Sequence, residues 1–143
     1  MPFNLAERFI NAAEDTLAAT LPYFYRQAMM ASNGGEICAY NDVWNLHPIL
    51  DSSDRKRLSR SCNDILRETR MMRDWPGWPG NAVAIADNGT GDKLVFLKEG
   101  RTYHPEVYVW LHKTGDLIEV AQSFSELQRA VWPGTIDDAS GDW

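Results

Sequence analysis

Cysteine and histidine are scarce in this chain. Two cysteines, Cys38 and Cys62, and three histidines, His47, His104 and His112, occur in 143 residues. No two of them lie at zinc-finger or zinc-ribbon spacing and no H-E-x-x-H occurs, so neither a metal nor another cofactor is expected. The thiols could pair in principle. However, the segment Met1-Pro2-Phe3-Asn4-Leu5-Ala6-Glu7-Arg8 lacks a basic stretch followed by an apolar one. Without that export pattern the cysteines read as reduced thiols of a cytoplasmic protein. Apolar runs of bilayer length are absent too, so no membrane partner is expected.

A positive charge balance is also missing. Fourteen Lys and Arg stand against twenty Asp and Glu, a formal charge of −6, which argues against direct nucleic-acid binding through phosphate neutralisation. Seven of the basic groups (Arg55, Lys56, Arg57, Arg60, Arg67, Arg70, Arg73) but only three acids fall within residues 54–73, so that segment is +4 and the remainder −10. An acidic body serves solubility, and it also complements a basic protein partner. What the chain does have is apolar residues, 44% of the total, enough for one packed domain without a disulfide or metal staple. We expect a single domain over 1–132 and an acidic, flexible tail over 133–143.

Asn4 and Glu7 stand at capping-box spacing ahead of Phe9, Ile10, Ala13 and Leu17, which predicts a helix over 4–19. Pro22 suits the first turn of a second helix reaching Ser32, and Asn33-Gly34-Gly35 stops it. Glu36 to Tyr40 reads as a strand, and Asp42 to Leu50 as irregular. A third helix is predicted from Ser52 or Ser53 to Arg73, burying Leu58, Cys62, Ile65, Thr69 and Met72 and exposing Lys56, Arg60, Arg67 and Arg70.

Trp75-Pro76-Gly77-Trp78-Pro79-Gly80 is a doubled turn tripeptide that recurs once as Trp132-Pro133-Gly134. It either covers a sheet margin or forms a rigid aromatic platform. The period then changes to two. Strands are predicted at 82–87, 92–98, 106–112 and 117–121, joined by turns short enough to require antiparallel pairing. A short helix is predicted over Phe124–Trp132. Helices grouped around an antiparallel meander give an α+β fold.

No catalytic constellation stands out. Cys38 followed by His47 has the residue types of a nucleophile and its base, which leaves a small cysteine hydrolase as one reading; a small buried strand residue is the simpler account of Cys38. Asp87-Asn88-Gly89-Thr90-Gly91-Asp92 lacks the order and closing glutamate of a calcium loop, and a hairpin turn explains it. In the strand Val107–His112, alternation sets Tyr108, Trp110 and His112 on one face. That face is either open, with the chemistry of protein-binding hot spots, or covered, with Trp110 buried.

The order of these signals resembles the SUKH superfamily, whose founding members include fungal regulators of cell-wall synthesis. The likeness begins with Leu21-Pro22, Tyr25-Arg26 and Asn33-Gly34-Gly35. It continues through Ala84-Ile85-Ala86-Asp87-Asn88-Gly89-Thr90-Gly91-Asp92, a strand and turn ending in Gly-Asp, and through Val107-Tyr108-Val109-Trp110-Leu111-His112, similar to the family's VYVWDH-type strand. Ala121-Gln122-Ser123-Phe124-Ser125-Glu126-Leu127 resembles its closing segment. The likeness covers about residues 7–130. The chain departs from the pattern at Leu111, where an acid is common, and in the doubled Trp-Pro-Gly. The resemblance implies an α+β fold, no catalysis, and, as in many bacterial members, an immunity protein that binds and occludes a toxin such as a nuclease or deaminase. A regulatory or scaffold domain is the alternative it allows. On either reading the partner is a protein, for immunity a basic toxin domain, and the expected contact residues are Tyr40, Asp42, Trp44, Asp87, Tyr108 and Trp110.

Overall fold

The computed structural model describes residues 2–129. Two helices open it, α1 (Glu7–Leu17) and α2 (Tyr23–Ala31). Ile10 and Ala13 of α1 and Tyr25 and Met29 of α2 point into the core. Arg26 ties the two helices together through Glu7 (2.7 Å) and Glu14 (2.8 Å). The first helix starts later than its capping-box spacing predicts. Ala6 stands at the N-cap without a side-chain bond, because Asn4 is engaged elsewhere: its carbonyl and side-chain oxygens accept from Arg57 at 2.7 and 3.1 Å. Asn33 leaves α2 and clamps Ile49 with a reciprocal pair of 2.8 Å hydrogen bonds, fixing the entry to the segment that follows the first hairpin.

That hairpin is a finding the sequence pattern did not anticipate. β1 (Glu36–Ala39) pairs with β2 (Asp42–Leu46), a stretch expected to be irregular. Tyr40 and Asn41 both adopt left-handed backbone (φ 51° and 57°), the conformation a two-residue hairpin turn demands. The usual glycine is missing, so the turn carries no compositional signal.

The long basic helix is broken in two, α3 (Arg55–Arg60) and α4 (Ile65–Met72). Asp64 caps α4 through bonds from the Leu66 and Arg67 amides (2.9 and 3.1 Å). Ser61 is held against Asp51, whose amide donates to its hydroxyl at 2.9 Å. An internal N-cap thus overrides a continuous helical pattern. Only Ile65, Thr69 and Met72 of the predicted stripe are buried; Leu58 and Cys62 are exposed, as are Lys56, Arg60, Arg67 and Arg70.

The remaining strands are β3 (Ala82–Asp87), β4 (Lys93–Glu99), β5 (Thr102–Tyr103), β6 (Val107–Trp110), β7 (Leu117–Ala121) and β8 (Gln128–Arg129). Together they form one antiparallel sheet in the order β7-β6-β4-β3-β2-β1-β8, with β5 paired to β4. The predicted terminal helix is instead a single 3-10 turn (Phe124–Glu126) followed by β8 against β1. Arg129 explains the exchange. Its guanidinium binds the carbonyls of Ala28 (3.3 Å), Ser32 (3.0 Å) and Gly34, capping the C-terminal end of α2 in a way a continued helix would not permit. The expected tail over 133–143 and Trp132-Pro133-Gly134 lie outside the described residues.

Both faces of the sheet are covered. Val83, Ile85, Phe96, Val107 and Val109 meet α1 and α2 on one side; Ala82, Val95 and Trp110 meet Met72 and Trp78 on the other. Trp110 is fully buried. Its indole Nε1 donates to the Gly77 carbonyl at 3.0 Å, and Trp78 packs edge-on against it at 5.0 Å. The Trp-Pro-Gly loop is therefore a lid over Trp110. With these features the α+β architecture expected from the sequence is the one observed.

Candidate functional site

Antiparallel pairing brings three hairpin turns to one end of the sheet. The β1–β2 turn carries Tyr40, Asn41 and Asp42; the β3–β4 turn runs from Asp87 to Asp92; the β6–β7 turn runs from Leu111 to Asp116. Successive hairpins lie two strand spacings apart, so the turns form a ridge roughly 20 Å long. Its carboxylate, imidazole and ammonium side chains are Asp42, Asp87, Asp92, His112, Lys113 and Asp116, an acidic set.

Side chains stitch the turns into one unit. Asp42 Oδ2 accepts from Asn88 Nδ2 at 3.0 Å, joining the first turn to the second. Asp92 Oδ1 accepts from both the backbone and Nδ1 of His112, at 3.0 and 2.7 Å, joining the second to the third. Burial raises the Asp92 carboxyl, but these bonds and the imidazole charge outweigh it and hold the group below its ordinary range. Gly91 is required here. Its φ is +106°, and a Cβ would stand 3.1 Å from the His112 ring. The Trp-Pro-Gly loop closes the far end, where Trp75 stacks edge-on to His112 at 6.0 Å while remaining 42% exposed.

Under the ridge lies a buried ionic cluster. Lys93 Nζ is 3.4 Å from His47 Nε2, 3.5 Å from Glu68 Oε1 and 3.8 Å from Asp87 Oδ2. The three acceptors lie within 4.8 Å of one another and are of the types that hold a divalent ion. The ammonium already sits among them as the cluster's own cation, and a second cation there would face it directly. Burial, followed by the charge of Lys93, lowers the His47 pKa to about 4, so the imidazole is neutral at pH 7. Arg67, 2.7 Å from Glu68, brings the group to overall neutrality. A cleft of about 540 Å³ opens beside His47 and Asp87, with Arg57, Arg60 and Phe3 on its other wall.

The six expected contact residues separate. Tyr40 (50% exposed), Asp42 and Asp87 come together on the ridge. Tyr108 is partly exposed but lies farther down the sheet, opposite Glu119. Trp44 and Trp110 are fully buried; the Trp44 indole donates to Ala39 O at 2.8 Å, across its own hairpin. Both tryptophans are core residues, so the covered alternative holds for the Trp110 face. Cys38, expected to be buried, is exposed, and no hydrogen bond joins it to His47 among the described residues, whose Nε2 is committed to the ionic cluster. Of the other ridge residues, Trp75 and His112 enter the sequence reading only as members of a possible aromatic platform and an aromatic face, and Asp92 only as a turn residue. The Gly91-Asp92 pair was the available signal, since a glycine beside an acid at a turn admits a close neighbour.

A model of the SMI1/KNR4 family (SUKH-1) matches residues 4–129. This chain belongs to that family. No curated protein matches it. The matched span takes in every helix and strand described above, including the Gly91-Asp92 pair that seats His112. No helix among the described residues is long and apolar enough to cross a membrane.

Proposed function

We propose that this SUKH-1 protein is a cytoplasmic immunity protein whose hairpin-turn ridge binds a basic toxin domain, such as a nuclease or deaminase, and occludes it non-covalently. The acidic ridge itself is the observation that carries the reading. Four aspartates and one lysine line it, and exposed Tyr40 and Trp75 offer aromatic anchors of the kind that dominate interfaces. Hydrogen bonds between the turns hold it in place before a partner arrives, which lowers the ordering cost of binding. Neutralisation by occlusion needs no turnover.

Co-expression tests this reading. The C-terminal domain encoded by the neighbouring reading frame is induced in a bacterium with and without this protein. Restored growth, lost in Tyr40→Ala and Asp42→Lys variants that still fold, is the expected result. A neighbour that is harmless, or that kills regardless, overturns the pairing and favours a regulatory or scaffold role. Binding should also weaken as salt is added, because the attraction is between screened opposite charges.

A further inference from the structure

We propose that the free edge of β7 is a docking site for an extended segment of another protein, which adds a strand to the sheet and sets a lysine or arginine against Glu119. This site is separate from the ridge and does not depend on the partner being a toxin.

β7 ends the sheet on its side; β6 takes one edge, and no strand among the described residues takes the other. An open edge presents unpaired backbone N–H and C=O groups to any extended chain that fits. Side chains decide which chain fits. Leu117 and Glu119 stand opposite Trp110 and Tyr108 in the β6–β7 register, so they share one face of the sheet with those aromatics. Leu117 is 37% exposed and Glu119 is exposed. Tyr108 is only half covered, and its hydroxyl is pushed above its ordinary range by burial, then by the charges of Glu119 and Glu106. Both carboxylates therefore act on one small area beside an aromatic ring. A matching strand carries a cation opposite Glu119 and an apolar residue opposite Leu117.

The same feature argues against a second copy of this chain. Pairing β7 with itself around Glu119 would set two carboxylates directly opposite, which is destabilising. A charge on an edge strand guards against self-association, and here it also selects by sign. The pairing register shifts between Val107 and Tyr108, so the regular edge is the run Leu117–Glu119. Contact is correspondingly short, and its selectivity rests on the Glu119 position.

The test uses the full chain labelled with ¹⁵N and two capped heptapeptides: a valine–lysine peptide, Thr-Val-Thr-Lys-Thr-Val-Thr, whose one face carries valine, lysine, valine, and a valine–glutamate peptide with glutamate in the lysine's place. The valine–lysine peptide is expected to shift the amide signals of 117–119 and 107–110 saturably and to slow their hydrogen exchange, while the valine–glutamate peptide leaves them unchanged. Glu119→Lys, on an exposed edge and checked for folding by its own spectrum, should weaken the valine–lysine peptide about fivefold and admit the other. Shifts spread over all acidic regions and unaffected by Glu119→Lys would overturn the site. So would the absence of any saturable shift at β7. Neither result touches toxin neutralisation through the ridge.

Discussion

The Trp110 indole and the Gly77 carbonyl meet at 3.0 Å, joining strand β6 to a loop thirty-three residues earlier in the chain. The contact satisfies the one polar atom of a fully buried side chain, and Trp75 and Trp78 wrap the rest of the ring. Trp110→Ala should therefore cost about 3–5 kcal/mol of stability through the cavity it leaves. Trp110→Phe, which keeps most of the packing but leaves the Gly77 carbonyl unpaired, should cost about 1–3 kcal/mol. Urea denaturation of both variants checks the order. A stability near wild type in Trp110→Ala would contradict a buried role.

His47 gives the fold a defined acid sensitivity. Its folded pKa, about 4, lies below the unfolded value near 6.5, so the unfolded chain binds the proton first. The stability contributed by keeping the ring neutral is complete above about pH 6.5 and is lost as pH falls toward 4, an effect of roughly 2–4 kcal/mol. The charges acting on the ring come from Lys93, Glu68, Asp87 and Asp64. His47→Gln should flatten the stability profile over that window, measured by denaturant titration at successive pH values.

Lys93 is expected to be the least replaceable member of the ionic cluster. Lys93→Met removes the cation that Glu68 and Asp87 share, leaving Arg67 on Glu68 alone, and should destabilise the fold by about 3 kcal/mol. Loss of the ammonium should also raise the His47 pKa, since Lys93 lowers it. Adding Glu68→Gln to Lys93→Met should restore part of the lost stability, and a thermodynamic cycle of the four proteins measures the coupling.

Asn41 occupies left-handed backbone, which glycine adopts without steric cost. Asn41→Gly should be neutral or stabilising by up to about 1 kcal/mol, while Asn41→Val should be clearly destabilising. Thermal melts of the pair report whether the first turn of the ridge has the backbone described.

The parts of the fold that were legible are those whose signal is local. Period-two alternation and the Asp87-Asn88-Gly89 turn gave β3 and β4, and apolar spacing gave α1 and α2. The misses came from contacts distant in sequence or from unusual local chemistry. Tyr40-Asn41 turns the chain without glycine, and Asp64 caps a helix inside a pattern that reads as continuous. Alternation places Tyr108 and Trp110 on one face, but it could not say that Trp78, far upstream, packs edge-on against Trp110, which is fully buried while Tyr108 stays partly exposed. Of the ridge, Tyr40, Asp42 and Asp87 are legible in the sequence as residue types suited to contact. The hydrogen bonds from Asn88 and His112 that unite the turns arise only from strand order. The ionic cluster draws on four elements or loops, so no spacing in the sequence encodes it.

The arginine clamp on α2 sets a timetable for biosynthesis. β1 emerges early, but its outer neighbour β8 and the capping Arg129 follow about ninety residues later. At ribosomal speeds of about 5–20 residues per second, that edge stays unpaired for roughly 5–20 seconds, and the end of α2 is uncapped for as long. The nascent chain thus passes through a stage in which its first hairpin is exposed to other strands, and closure waits on Gln128 and Arg129, the last residues of the family-matched span. Truncation just before Gln128 would hold the protein in that open stage, turning a brief hazard of synthesis into a lasting one.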